Sequence, residues 1–324
     1  VIYDKVRMPE ICRTYVPVNL TERTMTERYN RVLSKMQELD LDTLVIYADR
    51  EHGANFAYLT GFEPRFEEAL LVLHGEGINY LVLGNENLKM AKYSRIQAEV
   101  VHAPHFSLPY QPMGDDKSLS GIMRDAGIYK AKKIGCAGWK MFTGTKENCR
   151  EMFDIPAFIM DALKCANPYA EICNAAGIFV DSKSGVRNHV NANEIAHYEF
   201  GSGLASSRIL QAMNAVAPGK TEMEIAEVLS PYGQPATVTT ICAAGERFTD
   251  AVVFPRANKI ELGDKLSLTL GLRGGLSSRA AYVAEKCEEL PEDVRDYIEV
   301  LAVPYYEALA EWMEAVGIGA SCAD

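Results

Sequence analysis

Residues 263–282 read Gly263-Asp264-Lys265-Leu266-Ser267-Leu268-Thr269-Leu270-Gly271-Leu272-Arg273-Gly274-Gly275-Leu276-Ser277-Ser278-Arg279-Ala280-Ala281-Tyr282. This segment decides how the rest of the chain is interpreted. Residues 265–270 have the pattern of a short β-strand, and residues 280–283 have a second strand pattern. The segment therefore predicts a pair of strands in which small and hydroxyl-bearing side chains are common.

The sequence on either side of this strand pair predicts long helices. Asn193 is a suitable cap for a helix that reaches Val216, and the Thr221-x-x-Glu224 spacing is a capping box that opens a second helix. Residues 237–242 predict another strand. A final amphipathic helix is predicted from residue 291 or 292 to residue 316, with a kink at Pro304.

The first half of the chain alternates strand and helix patterns. Strands are predicted at residues 43–47, 70–73 and 80–83, and the last two flank a hairpin turn at 75–77. Helices are predicted to begin near Thr24 and to cover 87–97 and 117–126. We therefore predict an α/β domain over residues 1–180 and a second, α+β domain over residues 181–324.

Composition limits the class of protein. The chain has 324 residues and a net charge of -11, which argues against binding to nucleic acid because such binding relies on basic patches. No apolar run approaches the length of about 20 residues that a membrane-spanning helix needs. The first residues lack a secretory pattern, so we expect a cytoplasmic protein with reduced cysteines. All six histidines precede residue 198.

Several motifs resemble the creatinase and Xaa-Pro peptidase family, the pita-bread metallopeptidases. The segment from Asn55 to Phe62, Asn-Phe-Ala-Tyr-Leu-Thr-Gly-Phe, is similar to a segment of that family's N-terminal domain. Residues 218–222, Pro-Gly-Lys-Thr-Glu, are similar to the opening of its C-terminal domain, and residues 244–247 and 263–264 continue in register. The resemblance spans most of the chain and implies the two-domain fold of that family.

The resemblance also implies a pair of metal ions held by two Asp, one His and two Glu residues. The two Asp positions correspond to Thr269 and Ser278, and a catalytic His would fall near Val252. A neutral hydroxyl is a weak ligand for a divalent ion, so we expect no metal and no other cofactor. The remaining ligands would lie beyond Asp324, and the pita-bread domain is therefore expected to be incomplete at its C-terminal end. Residues 271–280 resemble a divergent, metal-free branch of the family.

The candidate ligand-binding residues of the second domain are Arg279, Ser278, Thr269, Arg273 and Arg247. We expect one or two of the arginines to line the former metal cleft and to bind a carboxylate or another anion through two hydrogen bonds. Arg279 is the best candidate, because it directly follows Ser278 within a strand of small residues. The alternative for the arginines is surface exposure or an ion pair with Asp250, Glu261 or Asp264. The sequence assigns no catalytic residue, because no histidine is available nearby to activate a serine.

Three functions are compatible with these observations. The first is a metal-free protein that binds, and in one version hydrolyses, a small amide, a guanidino compound or a short peptide. The second is a non-catalytic scaffold or interaction protein with the same fold. The third is an Xaa-Pro-type metallopeptidase that takes ligands from outside this sequence. We expect a homodimer in each case.

Overall fold

The computed structural model describes residues 4, 7, 10, 16–113, 117–230, 233–250, 253–317 and 320. The chain divides into two compact units. Residues 20–191 form the first unit, and the second contains residues 192–324 together with the segment that precedes residue 20. No helix of the described residues is both long and apolar enough to cross a membrane.

A six-stranded sheet forms the centre of the first unit. Its strands are β1 (Thr43–Ala48), β2 (Ala69–His74), β3 (Tyr80–Leu83), β4 (Glu99–His102), β5 (Lys133–Ala137) and β6 (Glu171–Asn174). Their order across the sheet is β4-β3-β2-β1-β5-β6. Strand β2 is antiparallel to both of its neighbours, and the other pairs are parallel. The predicted hairpin at residues 70–83 is confirmed.

Both faces of this sheet are covered, which explains why its central strands are continuous apolar runs. All six residues of β1 are buried. Leu44 and Ile46 pack into one apolar core, and Val45 and Tyr47 pack into another on the opposite face. This alternation follows from the period of two in a β-strand.

Five α-helices of the described residues accompany the sheet. They are α1 (Glu22–Glu38), α2 (Ala54–Thr60), α3 (Leu119–Asp125), α4 (Ala157–Ala166) and α5 (Gly177–Val180). The cap of α1 is Thr21, whose hydroxyl accepts the backbone N–H of Thr24, so the prediction that the helix begins near Thr24 was wrong by one turn. The helix predicted at 87–97 is a short 3₁₀ helix at Leu88–Tyr93.

The second unit contains α6 (Ala192–Ala215) and α7 (Glu222–Leu229) beside a three-stranded antiparallel sheet. The sheet has the order β7 (Ile241–Ala244), β8 (Lys265–Leu272) and β9 (Gly275–Tyr282). The predicted capping box of α7 is confirmed, because Thr221 and Glu224 satisfy each other's backbone N–H groups. The strand pair predicted in residues 263–282 is also confirmed, as a regular hairpin.

A two-residue turn joins β8 and β9. Arg273 and Gly274 have φ values of 46° and 82°, the left-handed conformation that both central residues of a type I′ turn require. Directly after the turn, a Cβ atom on Gly275 would lie 2.3 Å from the backbone nitrogen of Ser202. Helix α6 therefore approaches the hairpin more closely than any side chain at residue 275 would permit.

The last predicted helix is made of successive segments in the structure. A 3₁₀ turn at Glu292–Val294 is followed by a π-helical segment at Ile298–Ala302 and by α8 at Val303–Ala315. The π-helical segment continues into α8 without a break, since Ala302 and Val303 both have right-handed helical dihedral angles. The prediction that Pro304 lies inside the last helix is therefore confirmed, and the π-helical segment directly precedes this proline, which removes a backbone hydrogen bond. None of the residues of α8 is buried.

Candidate functional site: the hydroxyl pair of the β8–β9 hairpin

The hairpin places Thr269 directly opposite Ser278. Their side chains lie on the same face of the sheet because directly opposed residues of an antiparallel pair share a face. The Oγ1 atom of Thr269 and the Oγ atom of Ser278 form a hydrogen bond of 2.7 Å. The two positions that the family resemblance assigns to metal carboxylates are therefore neighbours in space, and one of the two hydroxyls donates a hydrogen bond to the other.

The same face of β7–β9 carries few charges. Pairing and alternation place Ile241, Ala243, Lys265, Ser267, Gly271, Leu276, Ala280 and Tyr282 on this face with the hydroxyl pair. None of these side chains is a carboxylate or an imidazole, and the only ionisable cationic one is a lysine. The Oγ atom of Ser267 is buried and has no hydrogen-bond partner in the described part of the chain. This face offers neutral hydroxyls.

Such a donor set does not fit a pair of divalent metal ions. A dinuclear site needs anionic oxygens that bridge the two ions, and the hydroxyls of Thr269 and Ser278 are neutral and already hydrogen-bonded. Within the described residues, no group of three or more His, Cys, Asp or Glu side chains is arranged to hold a metal ion. Val252, the position expected to correspond to a catalytic His, lies outside the described residues.

Arg279 does not share the face of the hydroxyl pair. It lies opposite Leu268, whose side chain belongs to the apolar core of the second unit. Successive residues of a strand alternate between faces, so Arg279 and Ser278 project to opposite sides of the sheet. Its guanidinium is exposed and donates a hydrogen bond to the carbonyl oxygen of Ser278 at 2.7 Å. The structure thus separates the two candidates that are adjacent in sequence.

Arg273 also lies apart from the hydroxyl pair. It occupies the hairpin turn, four residues beyond Thr269 along β8, and its Nε donates to Gln234 at 3.2 Å. Its guanidinium carbon lies 5.8 Å from the centre of the Phe200 ring. Through these contacts Arg273 packs against Gln234 and Phe200 at the turn. Its role in ligand binding stays a prediction.

Arg247 forms an ion pair with Glu222, a residue that was not among the acidic partners considered from the sequence. Its Nε lies 3.0 Å from one carboxylate oxygen of Glu222 and 3.2 Å from the other. Its Nη2 donates to the carbonyl oxygen of Phe254 at 2.7 Å. Arg247 therefore connects α7 to the segment after β7, and its role as a ligand-binding residue also stays a prediction.

Glu222 is the buried carboxylate that sequence reasoning missed. Its side chain is 0% exposed, and it also accepts hydrogen bonds from the backbone N–H groups of Ala244 and Arg256 and from Asn258 Nδ2. Burial alone would raise the pKa of Glu222, but the hydrogen bonds from Arg247 and the two backbone groups outweigh it and hold the pKa below its usual value. The carboxylate is fully used by the fold.

Comparison with known proteins shows which proteins share this fold. Residues 28–159 match the sequence model of the creatinase/prolidase N-terminal domain. The prolidase from Pyrococcus horikoshii OT3 superposes with a TM-score of 0.62 at 18% identity, over 87% of this chain and 71% of that protein. The prolidase from Thermococcus sibiricus gives a TM-score of 0.62 at 17% identity, over 86% and 70%. The Xaa-Pro dipeptidase from Bacillus anthracis gives 0.60 at 15% identity, over 86% and 69%.

The chain therefore has a creatinase/prolidase N-terminal domain within a mixed α/β fold shared with the pita-bread prolidases. The resemblance to the creatinase and Xaa-Pro peptidase family is confirmed at the level of that domain and of the fold. None of the curated proteins compared with the sequence matches it.

Proposed function

We propose that this prolidase-like protein binds a small amide, a guanidino compound or a short peptide without a dinuclear metal centre. The observation that carries the proposal is the 2.7 Å hydrogen bond between Thr269 and Ser278. Thr269 and Ser278 are neutral hydroxyl residues, and they occupy the positions where the family resemblance implies metal carboxylates. A metal-dependent attack on a peptide bond has no anchor there.

The chemistry of the hydroxyl face favours binding over hydrolysis. A hydroxyl can donate one hydrogen bond and accept others, so Thr269, Ser278 and the unpartnered Ser267 suit the neutral donors and acceptors of an amide. A serine nucleophile needs a base within reach, and the described residues of this face provide none. We therefore propose a binding protein first, with a cytoplasmic location and a homodimeric assembly.

One observation favours a scaffold as the second candidate. Helix α8 buries none of its residues, and it exposes the large side chains of Tyr305, Tyr306, Trp312 and Met313. An exposed apolar surface of this kind is typical of protein interaction sites. A scaffold would keep the inherited fold and would have no small ligand at the hairpin.

Metal analysis tests the central claim. Purified protein is incubated with Mn²⁺, Co²⁺ or Zn²⁺, desalted and analysed for bound metal, and its hydrolysis of Xaa-Pro dipeptides is measured with and without a chelator. We expect no stoichiometric metal and no chelator-sensitive hydrolysis. Two bound ions per chain, or hydrolysis that a chelator abolishes, would support the metallopeptidase alternative instead.

A ligand screen separates the binding protein from the scaffold. Thermal unfolding is followed in the presence of small amides, guanidino compounds, carboxylates and proline-containing dipeptides, because a ligand that binds the folded state raises the melting temperature. We expect a stabilising compound whose effect is lost in the Thr269→Val/Ser278→Ala variant. Arg279→Ala should leave that effect intact because Arg279 lies on the other face. The absence of any stabilising compound would favour the scaffold.

A further inference from the structure

The edge of β9 that faces away from β8 is unpaired within the described residues. The sheet has the order β7-β8-β9, so β9 is its last strand. Outside the β8–β9 ladder, no hydrogen bond between backbone groups of the described residues involves residues 276–282. Strand β9 has eight residues, and all of them pair with β8 without a bulge. A regular edge strand of this length is a template with which another chain can pair.

The hairpin turn determines which backbone groups of β9 lie on the free edge. In a two-residue turn, the flanking residues Leu272 and Gly275 exchange backbone hydrogen bonds, and every second residue after Gly275 bonds to β8 in the same way. Val283 continues this series, since its N–H donates to the carbonyl oxygen of Asp264 at 2.8 Å. The intervening residues therefore direct their N–H and C=O groups to the free edge. These residues are Leu276, Ser278, Ala280 and Tyr282.

Arg279 supports this direction and adds a positive charge to the edge. Its guanidinium donates to the carbonyl oxygen of Ser278 at 2.7 Å, so this oxygen is accessible from outside the ladder. Arg279 is exposed, and it forms no salt bridge with a described residue. Its neighbours Ser278 and Ala280 are exposed as well, and their small side chains leave room for a second strand. The edge thus combines a row of open backbone groups with one unpaired cation.

The position of Arg279 favours a partner with a carboxylate over a second copy of this chain. A strand that pairs antiparallel with the free edge forms hydrogen bonds at Ser278 and Ala280. Its residue opposite Arg279 then lies in a non-hydrogen-bonded pair, in which the side chains are closer together. In a symmetric pairing of two copies that uses all the outward groups, this residue is a second Arg279. Like charges directly opposite each other destabilise paired strands, whereas opposite charges stabilise them.

We propose that the free edge of β9 binds an extended, acidic peptide segment as an additional antiparallel strand. The backbone groups of the edge supply the hydrogen bonds, and a glutamate or aspartate of the segment pairs with Arg279. The hydroxyls of Thr269 and Ser278 take no part. The inference therefore goes beyond the proposed binding of a small ligand and does not depend on it.

Fluorescence anisotropy with labelled seven-residue peptides tests the proposal on the whole chain. The glutamate probe alternates threonine and valine around a central glutamate, and the comparison peptide has a lysine at its centre. We expect saturable binding of the glutamate probe at protein concentrations up to about 1 mM, and about fivefold weaker binding of the lysine peptide. In Arg279→Ala the two peptides should bind equally. Absence of binding, or a charge preference that Arg279→Ala leaves unchanged, would overturn the proposal.

Methylation of the peptide nitrogens tests the backbone pairing. With the central glutamate opposite Arg279, the N–H groups of the third and fifth peptide residues face β9, and those of the second and sixth face away. N-methylation of the third and fifth residues should weaken binding by about tenfold or more. N-methylation of the second and sixth residues should have little effect. Equal losses from the two modifications would contradict the pairing.

Ala280→Pro tests the same pairing from the side of the protein. The N–H of Ala280 points to the free edge, so a proline at this position leaves the ladder with β8 intact and the variant should fold. It should bind the glutamate probe about tenfold more weakly or worse. The matched control Ala280→Val keeps the N–H and should bind like the wild type. Wild-type affinity in Ala280→Pro would refute the location.

Two further measurements separate the peptide from other occupants. Thr269→Val/Ser278→Ala should bind the glutamate probe normally, because its backbone is unchanged, and loss of binding would assign the peptide to the hydroxyl pair instead. Analytical ultracentrifugation without peptide should give the same oligomeric state for Ala280→Pro as for the wild type. A dimer that Ala280→Pro dissociates would show that a second copy occupies the edge, and the proposal would then be wrong.

Discussion

The two units satisfy their buried carboxylates in different ways. In the second unit, the buried carboxylate Glu222 receives hydrogen bonds from four groups, one of which is the charged Arg247. In the first unit, Glu67 is 3% exposed and accepts the backbone N–H groups of Glu86 and Asn87, and it forms no salt bridge within the described residues. Removing the charge of a carboxylate that pairs with a cation leaves that cation uncompensated, whereas a carboxylate held by backbone N–H groups loses hydrogen bonds only. The difference predicts a larger cost for the loss of Glu222 than for the loss of a carboxylate without a cationic partner.

The largest expected effect comes from Glu222→Gln. The substitution leaves Arg247 without its counter-ion and weakens the hydrogen bonds from the backbone, so the free energy of unfolding of the second unit should fall by about 3 kcal/mol. Urea denaturation followed by circular dichroism measures the loss. Glu224→Gln, at the exposed capping box of the same helix, is the matched control and should cost much less. Equal losses in the two variants would contradict the special role of Glu222.

The lowered pKa of Glu222 predicts that its contribution to the stability of the second unit depends on pH. The pKa of Glu222 is lowered in the folded state, so its stabilising contribution is present above the usual glutamate pKa and is lost as the pH falls through the folded-state value. The stability difference between the wild type and Glu222→Gln should therefore shrink on acidification. Denaturation curves over a series of acidic pH values check this, and a constant difference would show that the charge of Glu222 is not responsible.

Two Gly→Ala substitutions, one in each unit, should change the free energy of unfolding in opposite directions. Gly275→Ala places a Cβ against the backbone of α6 at 2.3 Å and should destabilise the second unit by about 2–3 kcal/mol. Gly121→Ala in α3 places a Cβ in ordinary contact with Ser118 at 3.4 Å and should stabilise the first unit by about 0.5–1 kcal/mol through helix propensity. Urea midpoints measure both, and a neutral Gly275→Ala would refute the close approach of helix and hairpin.

Placing carboxylates at the two hydroxyl positions of the hairpin tests whether the surrounding residues could hold divalent metal ions. Thr269→Asp/Ser278→Asp puts two like charges directly opposite each other and should cost about 1 kcal/mol. We expect Mn²⁺ to recover little of this loss, because two carboxylates supply only part of the coordination that such an ion needs. Thermal unfolding with and without Mn²⁺ measures the recovery. Full recovery would show that the rest of a metal site is present.

The smallest expected effect is that of Thr269→Val/Ser278→Ala. Both hydrogen-bond partners are removed together, so no buried donor or acceptor is left unsatisfied. The stability should change by less than about 0.5 kcal/mol, as measured by urea denaturation. A much larger loss would mean that the hydroxyl pair supports the fold, and the ligand-binding interpretation of the pair would then be weakened.

Local patterns predicted the features that depend on neighbouring residues. The strand at 43–47, the hairpin at 70–83, the capping box at 221–224 and the strand pair in 263–282 all follow from short-range spacing, and the structure contains each of them. The π-helical segment at Ile298–Ala302, just before Pro304, was not predicted. A proline inside a helix removes a backbone hydrogen bond, and the sequence pattern does not show whether the helix accommodates it by a bend or by a local π-helical turn.

Features that join distant parts of the sequence were not predictable in this way. Glu222 meets Arg247 and the backbone of Arg256 across 25 and 34 residues, and no local pattern encodes such a meeting. The stacking of His52 on Trp139 was unpredictable for the same reason, because the two residues follow β1 and β5, which are neighbours in the sheet but distant in sequence. The separation of Arg279 from Ser278 is different, since the alternation of a strand already implies it. The expectation that Arg279 lines the same cleft overlooked that rule.

The turn at Arg273 and Gly274 has a consequence for how this hairpin could change in evolution. Its two-residue length sets the pairing of the strands, and a slip of one residue would turn every side chain of β9 to the other face. One inserted codon could thus withdraw Ser278 and present Arg279 beside Thr269, without altering any residue of either strand. Length variation at this single loop would exchange a neutral surface for a cationic one.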